Sequence, residues 1–256
     1  MSNILAIAHK ELKSYFASPI AYIVIGLFAL LYGYFYVAIL AYFVRQSLQM
    51  SEFGGQGPQA MDINQQLIRP LMTNVTILVL FVMPMVTMRT YSEEKRSGTI
   101  ELLLTSPLTD FQIIMGKFLG ALALWGIMLL VSMIHLAILF VYGREWKPLL
   151  TAYLGLLLLG GCFLSVGLFI STLTKNQVVA FMLTFTVFLF LWIITWIGSF
   201  AGPTVDSLTQ YLSIIDHFDD FGKGVIDTTH VIYYVSFITF GLFLTAKSVD
   251  SERWRA

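Results

Sequence analysis

The sequence is poor in charge and in cysteine. Of its 256 residues, 12% are Asp, Glu, Lys or Arg, whereas a typical soluble domain has roughly a quarter. Acidic and basic residues balance at 15 each, which argues against a basic nucleic-acid-binding domain. The single cysteine, Cys162, excludes an intrachain disulfide framework. The low charge also excludes a disordered chain, which needs low hydrophobicity and high net charge.

Apolar residues make up 57% of the chain and are concentrated in long runs. A helix needs about 20 apolar residues to cross the hydrocarbon core of a bilayer. We therefore predict an all-α polytopic membrane protein, with one transmembrane domain over residues 1–256 and no separate soluble domain. Six transmembrane helices are predicted over residues 20–44, 67–88, 111–142, 149–174, 178–201 and 230–248.

Basic residues are distributed unevenly among the segments that connect these spans. If the N-terminus is inside the cell, ten Lys and Arg lie in cytoplasmic segments and five lie in outer segments. The positive-inside rule then favours an orientation with both termini in the cytoplasm. The first apolar run is too long for the hydrophobic part of a cleavable signal peptide. The bacterial inner membrane is the expected location.

Residues 1–19 precede the first span and predict an amphipathic helix that lies on the membrane surface. The apolar side chains that share one arc of this helix are Ile4, Leu5, Ala8, Leu12, Tyr15 and Phe16. Ala6 and Ile7 do not fit the pattern, and Glu11 lies at its border. The helix either only orients the protein or has a mechanical role, which we favour. Its candidate functional residues are His9, Lys10, Lys13, Tyr15 and Phe16.

Residues 89–110 join the second and third spans and hold seven of the chain's thirty charges. Thr90 and Glu93 have the spacing of a capping box. Gly98 can end a helix in the left-handed conformation, and Thr99 can cap a second short helix. We therefore predict a helix–break–helix element at the membrane face. Thr109 with Gln112 repeats the capping-box spacing where the third span begins.

This element is expected to present mixed charge beside an apolar edge, a combination that suits docking to another protein better than binding to lipid. A charged turn exposed to solvent is the alternative interpretation. The candidate docking residues are Glu93, Glu94, Lys95, Arg96, Gly98, Thr99, Ile100, Glu101, Leu103 and Leu104.

Residues 203–229 predict short amphipathic helices on the outer side, before the last span. Leu208, Tyr211, Leu212 and Ile215 recur at helical spacing. Such helices can shape an outer gate, for which the candidate residues are Phe218, Asp219, Phe221 and Gly222. The nearby acidic cluster with His217 is interpreted as a solvated face, because its spacing matches no defined metal site.

The spans contain few groups that could drive chemistry. His135 is the only Asp, Glu, Lys, Arg or His well inside a span, and we interpret it as a hydrogen-bonded packing residue rather than a proton relay. The small residues of two spans can pack helices closely, within the chain or at a dimer seam; they are Gly116, Gly120, Gly160, Gly161, Ser165 and Gly167. The sequence has no phosphate-binding loop, no H-E-x-x-H and no G-x-S-x-G, so we predict no catalytic or metal-ligating residues.

The string Glu-Lys-Arg-Ser-Gly-Thr-Ile-Glu-Leu-Leu-Leu-Thr-Ser-Pro-Leu at 94–108, followed by Gly116-Lys117, resembles the permease subunits of ABC-2 type transporters. The similarity is greatest to gliding-motility-type and nitrous-oxide-maturation-type permeases. Residues 8–16, 218–227 and 251–255 also fit, so the resemblance covers nearly the whole chain. It implies that the N-terminal segment is an interface helix and that residues 89–110 carry a coupling helix.

The resemblance also implies partners. Both elements would contact a separate ATP-binding subunit, present in two copies, and a second permease would complete a homodimer or a related heterodimer. An accessory membrane protein is a further candidate partner; nucleic acid is not expected. No cofactor is expected in this chain, since ATP and Mg would bind the partner subunit. The alternative function is an ATP-independent membrane channel or an intramembrane enzyme.

Overall fold

The computed structural model describes residues 3–52, 62–142 and 146–253. Within these ranges the regular secondary structure is helical, without strands. A short π-helical turn, Asn64–Ile68, leads directly into the third helix. The α-helices are α1 Asn3–Ala17, α2 Pro19–Glu52, α3 Arg69–Thr87, α4 Ser92–Ser97, α5 Thr99–Leu104, α6 Asp110–Tyr142, α7 Trp146–Thr172, α8 Gln177–Ala201, α9 Pro203–Leu212, α10 Asp216–Gly222 and α11 Thr228–Arg253.

Six of the described helical segments are long and apolar enough to cross a membrane. They correspond to α2, α3, α6, α7, α8 and α11. The prediction of an all-α polytopic membrane protein with six spans is therefore confirmed. Two helices are longer than the sequence predicted, because α2 continues past residue 44 to Glu52 and α11 continues past residue 248 to Arg253.

The core of the bundle lies along α3 and α7. In the apolar stretches of α3 and α7 that could cross the membrane, 67% and 72% of the residues are buried. In the corresponding stretches of α2, α8 and α11, only 17–22% of the residues are buried. The latter helices form the periphery, where apolar side chains such as Leu30 and Phe190 point outward. In a bilayer such side chains contact lipid or another membrane protein, so their exposure is expected.

Small residues allow close helix contacts inside the bundle. A β-carbon added at Gly160 of α7 would collide with the indole of Trp125, and one at Gly167 would collide with Thr87. Trp125 Nε1 donates a hydrogen bond to the Leu156 carbonyl at 3.0 Å. The small-residue patch of the fourth span therefore serves packing within the chain.

His135 lies between aromatic rings of α2. Its ring centroid is 5.5 Å from that of Tyr32 and 6.2 Å from that of Tyr36. The packing part of the prediction is thus confirmed. The expected hydrogen bond is absent at Nδ1, which is buried without a partner in the described part of the chain.

Candidate functional site

Lys117, at the start of the third span, lies at the centre of a buried ionic cluster. Its side chain is 1% exposed. Its Nζ lies 3.1 Å from Glu11 Oε1 and 2.8 Å from Glu94 Oε1, and it donates to the Thr90 carbonyl at 3.0 Å. Glu11 belongs to α1 and Glu94 to α4. A single ammonium group therefore joins the N-terminal helix, the loop between the second and third spans, and α6. We call these residues the Lys117 cluster.

Two further groups complete the Lys117 cluster. The Lys117 ammonium lies 5.0 Å from the centre of the Tyr91 ring, a cation–π distance. Lys10 Nζ lies 3.3 Å from Glu11 Oε1 and 3.7 Å from Glu94 Oε1. Burial opposes the charge of Lys10, but the two carboxylates outweigh it and raise the pKa of this ammonium above its ordinary value. Two cations thus face two carboxylates.

The glycine pair of α6 brings α1 against the bundle. A β-carbon added at Gly116 would lie 2.5 Å from Ile7 Cβ, and one added at Gly120 would lie 2.7 Å from Glu11 Cβ. Only hydrogen atoms at these positions let α1 approach closely enough for Glu11 to reach Lys117. The G-x-x-x-G pair therefore serves packing within the chain rather than a dimer seam.

The buried face of α1 differs from the apolar arc predicted from the sequence. Ile7, Glu11 and Tyr15 are its buried residues, although Ile7 and Glu11 did not belong to that arc. Leu5, which did, is 50% exposed. The two faces differ because the arc was predicted for contact with the membrane surface, whereas the buried face packs on α6, where Lys117 neutralises the buried Glu11. Among the other predicted residues of this helix, His9, Lys10 and Lys13 are exposed and Phe16 is partly buried.

The loop between the second and third spans has the predicted helix–break–helix form. Gly98 has φ 71° and ψ 3° between α4 and α5, a left-handed conformation that favours glycine. The capping box at the start of the third span is also confirmed. The Thr109 amide donates to Gln112 Oε1, and the Gln112 amide donates to Thr109 Oγ1, each at 3.3 Å.

The other two capping predictions in this loop are wrong. Tyr91, not Thr90, precedes α4, and no side chain caps that helix. Glu93 instead accepts two hydrogen bonds from the Arg89 guanidinium, at 2.8 and 3.1 Å. Thr99 is the first residue of α5 rather than its cap. The carboxylate was unavailable for a capping box because a charged partner lay one turn away.

The charged residues of the loop divide into two groups. Glu93, Glu94 and Lys95 are engaged within the chain. Lys95 is buried, forms an ion pair with Glu252 at 2.8 Å and donates to the Thr172 carbonyl. Arg96 and Glu101 are exposed. Of the other candidate docking residues, Gly98 and Thr99 are exposed and Ile100 and Leu103 are partly buried, whereas the side chain of Leu104 lies outside the described residues.

A cleft of about 490 Å³ opens between α1 and the α4–α5 loop. Its walls are charged on the α1 and α4 sides and apolar at Leu102 and Leu103. Glu94 Oε2 is buried without a hydrogen-bond partner among the described residues. The sequence pattern did not indicate Glu11, Lys117 or Leu102 as site residues. The sequence does contain a signal for two of them: Lys117 lies at the start of an apolar run, and Glu11 lies on the border of an amphipathic helix.

At the opposite end of the bundle, the predicted short helices are present as α9 and α10, although the helical spacing that continued to Ile215 ends at Leu212. Among the candidate gate residues, Phe218, Phe221 and Gly222 are buried. A β-carbon at Gly155 of α7 would lie 2.7 Å from Phe221 Cβ, so α10 packs directly on α7. These residues anchor α10 to the bundle.

Two acidic residues of α10, Asp219 and Asp220, form ion pairs with neighbouring cations, and Asp219 remains exposed to solvent as predicted. Asp219 lies 2.6 Å from Arg69 of α3 and 2.8 Å from Lys223. Burial opposes ionisation of Asp219, but these two cations lower the pKa of its carboxyl below the ordinary value. No group of three or more metal-binding side chains is found within the described residues.

A model of a known protein family, described as ABC-2 family transporter protein, matches residues 5–240. The match covers most of the chain, so the chain belongs to this family. No curated protein matches it. Together with the six apolar helices, the family defines a multi-pass membrane protein that serves as the transmembrane permease subunit of an ATP-binding cassette transporter. In this family the permease generally works with an ATP-binding subunit, which carries the ATPase activity.

Proposed function

We propose that this permease couples ATP hydrolysis on the separate subunit to movement of its spans, and so to export or mechanical work across the bacterial inner membrane. The Lys117 cluster is the observation that carries this proposal. It joins the two elements expected to receive the ATP-binding subunits, α1 and the α4–α5 loop, to a membrane-spanning helix. A force on either element is then transmitted to α6 through a buried ion pair rather than lost in a flexible linker.

A second connection supports transmission to other spans. Lys95 of α4 reaches the carbonyl of Thr172 at the end of α7 and the carboxylate of Glu252 at the end of α11. Arg89 Nη1 also donates to Ser18 Oγ at 2.9 Å, where α1 turns into α2. The α4 region therefore has polar contacts to the ends of several spans. Displacing it by docking is expected to move these ends together.

The proposed orientation places α1, α4 and α5 in the cytoplasm. The excess of basic residues on that side favours it, and an even number of spans puts the C-terminal end of α11 on the same side as α1. The contact between Lys95 and Glu252 is consistent with this arrangement. The short helices α9 and α10 then lie on the outer side, where Phe218, Asp219, Phe221 and Gly222 form part of the proposed gate.

The structure refines which loop residues we propose for docking. Exposed side chains can contact a partner without breaking an existing bond, so Arg96, Thr99 and Glu101 are the first candidates, with Gly98 shaping the loop. Glu93, Glu94 and Lys95 act by holding the loop in place. We further propose two ATP-binding subunits, a second permease copy or a related permease, and an accessory membrane protein. The gliding-motility-type and nitrous-oxide-maturation-type permeases remain the proposed subtype.

Charge reversal at the exposed positions tests the proposal. We would purify the tagged permease from its native membrane and measure the ATPase activity that co-purifies with it. Arg96→Glu and Glu101→Lys are expected to reduce that activity several-fold at unchanged permease yield. Lys175→Glu is the matched control, since Lys175 is exposed in another loop at the same end of the bundle. Full co-purified ATPase activity with both variants would contradict docking through this loop.

A further inference from the structure

Two histidines meet where α10 packs against the start of α11. His217 Nδ1 lies 2.7 Å from His230 Nδ1. The outer nitrogen of each ring has a partner as well: His217 Nε2 lies 3.1 Å from the Tyr211 carbonyl, and His230 Nε2 lies 2.9 Å from Asp220 Oδ2. All four ring nitrogens are therefore in hydrogen-bonding contacts.

These contacts determine how many protons the pair holds. A carbonyl and a carboxylate only accept hydrogen bonds, so each Nε2 must carry a hydrogen. The contact between the two Nδ1 atoms needs one hydrogen, donated by either ring. The pair then has three N–H groups on four nitrogens, which is one proton more than two neutral imidazoles and one fewer than two imidazolium rings.

The other protonation states do not fit the observed distances. A neutral pair has two hydrogens for three contacts, so one contact would set lone pair against lone pair. A doubly charged pair would place two N–H groups head to head across 2.7 Å. The single positive charge of the intermediate state lies beside the Asp220 carboxylate, which also pairs with Lys223.

We propose that His217 and His230 form a site for one shared proton, and that this proton clamps α10 to α11. The site responds to the pH on the side of the membrane that α9 and α10 face. His230 is 18% exposed and Asp220 is 36% exposed, so protons can reach the pair from solvent. This inference does not depend on the ATP-binding subunit, and it assigns these helices a regulatory role that the proposed function does not contain.

Charged and titratable groups surround the pair on every neighbouring element. The His217 ring lies 3.9 Å from the Tyr233 ring, centre to centre. The other such groups on the neighbouring elements are Tyr211 of α9, Asp216, Asp219 and Asp220 of α10, Lys223 and Asp227 of the segment that follows, Tyr234 of α11, and Arg69 of α3, which pairs with Asp219. Asp219, Asp220, Lys223 and Arg69 are already joined in ion pairs.

The direction of the pH response follows from the surroundings of His217. Burial lowers the pKa of this imidazole below its ordinary value, and the neighbouring His230 lowers it further, against the Tyr211 carbonyl and Asp216. A lowered histidine pKa means that the released form of the segment takes up the second proton more readily than the clamped form does. Uptake of a second proton therefore weakens the clamp as the pH falls from the ordinary histidine pKa of about 6.5 towards the lowered pKa of His217, and loss of the shared proton weakens it at higher pH.

The experiment follows protonation directly and the clamp separately. In nanodiscs, histidine-selective NMR would record the ring shifts of His217 and His230 between pH 4 and pH 8, while hydrogen exchange would report the opening of Asp216–Gly222. We expect two titration steps for the pair, separated by more than about one pH unit. After correction for intrinsic rates, we expect α10 to exchange about tenfold faster at pH 5 than at pH 7, equivalent to one pKa unit of linkage.

Two variants make the outcome decisive. His217→Gln cannot take up a second proton, so the acceleration at low pH should disappear. His9→Gln is the control, because His9 is exposed on α1 at the other end of the bundle; it should behave as the unaltered protein. Independent titration of the two rings, or the same acceleration in His217→Gln, would overturn the proposal. If the contact between the rings were purely structural, its loss in this variant would lower the protection of α10 equally at pH 5 and pH 7, and the acceleration would remain.

Discussion

Lys117 Nζ lies 2.8 Å from Glu94 Oε1, and this ion pair joins the third span to the short helix that precedes the break at Gly98. Glu94 contacts Lys10 of α1 as well. The pair is therefore a junction between three segments rather than an isolated surface ion pair. Because Lys117 is almost fully buried, the junction is protected from the solvent screening that weakens exposed pairs.

Lys117→Met is expected to destabilise the protein strongly. The substitution leaves the carboxylates of Glu11 and Glu94 without their central buried partner, and breaking a buried pair in this way costs about 3–5 kcal/mol. Thermal unfolding in detergent measures the loss. Lys13→Met, at an exposed position of α1, is the control and should change little. Adding Glu11→Gln to Lys117→Met should recover part of the stability, and no recovery would argue against the assigned pairing.

Gly120→Leu is expected to displace α1 from the bundle. A β-carbon at this position would lie 2.7 Å from Glu11 Cβ and 3.1 Å from the Ala8 carbonyl, so a larger side chain cannot be accommodated without moving the helix. Limited proteolysis of the N-terminal segment should become several-fold faster. The matched control is Gly126→Leu on the same helix, because a β-carbon at Gly126 meets no atom within 4 Å. Equal proteolysis rates for the two variants would contradict the assigned packing.

Lys95→Ala and Arg96→Ala should change stability by very different amounts although the residues are adjacent. Lys95 is buried and holds the Thr172 carbonyl and Glu252, so its loss should cost about 1–3 kcal/mol of stability. Arg96 is exposed, and its truncation should change stability by no more than about 0.5 kcal/mol. Thermal unfolding measures both changes in stability. A stable Lys95→Ala variant beside an unstable Arg96→Ala variant would reverse the assignment of the two roles.

Features that depend on neighbouring residues could be predicted from the sequence. The six apolar runs required membrane-spanning helices, since polar backbone groups cannot remain unpaired in the hydrocarbon core. The left-handed turn at Gly98 and the capping box of Thr109 and Gln112 were also predicted correctly. Both features depend only on residues a few positions apart in the sequence. The capping prediction at Thr90 failed because Glu93 had a stronger local partner in Arg89, and the one at Thr99 failed because Gly98 takes the cap position of α5.

The low charge content of the sequence determined that this is a membrane protein, and the family match assigned it to the permease subunits of ABC-2 transporters. Only the tertiary structure decided which charged or titratable side chains of separate helices meet. Glu11 and Lys117 are 106 positions apart, and His217 and His230 meet only because α10 folds back onto α11. Such pairings depend on helix packing at Gly116, Gly120 and Gly155, which no periodicity within one segment reveals. The physical reason is that burial makes each charge require a partner, while the fold alone brings that partner within reach.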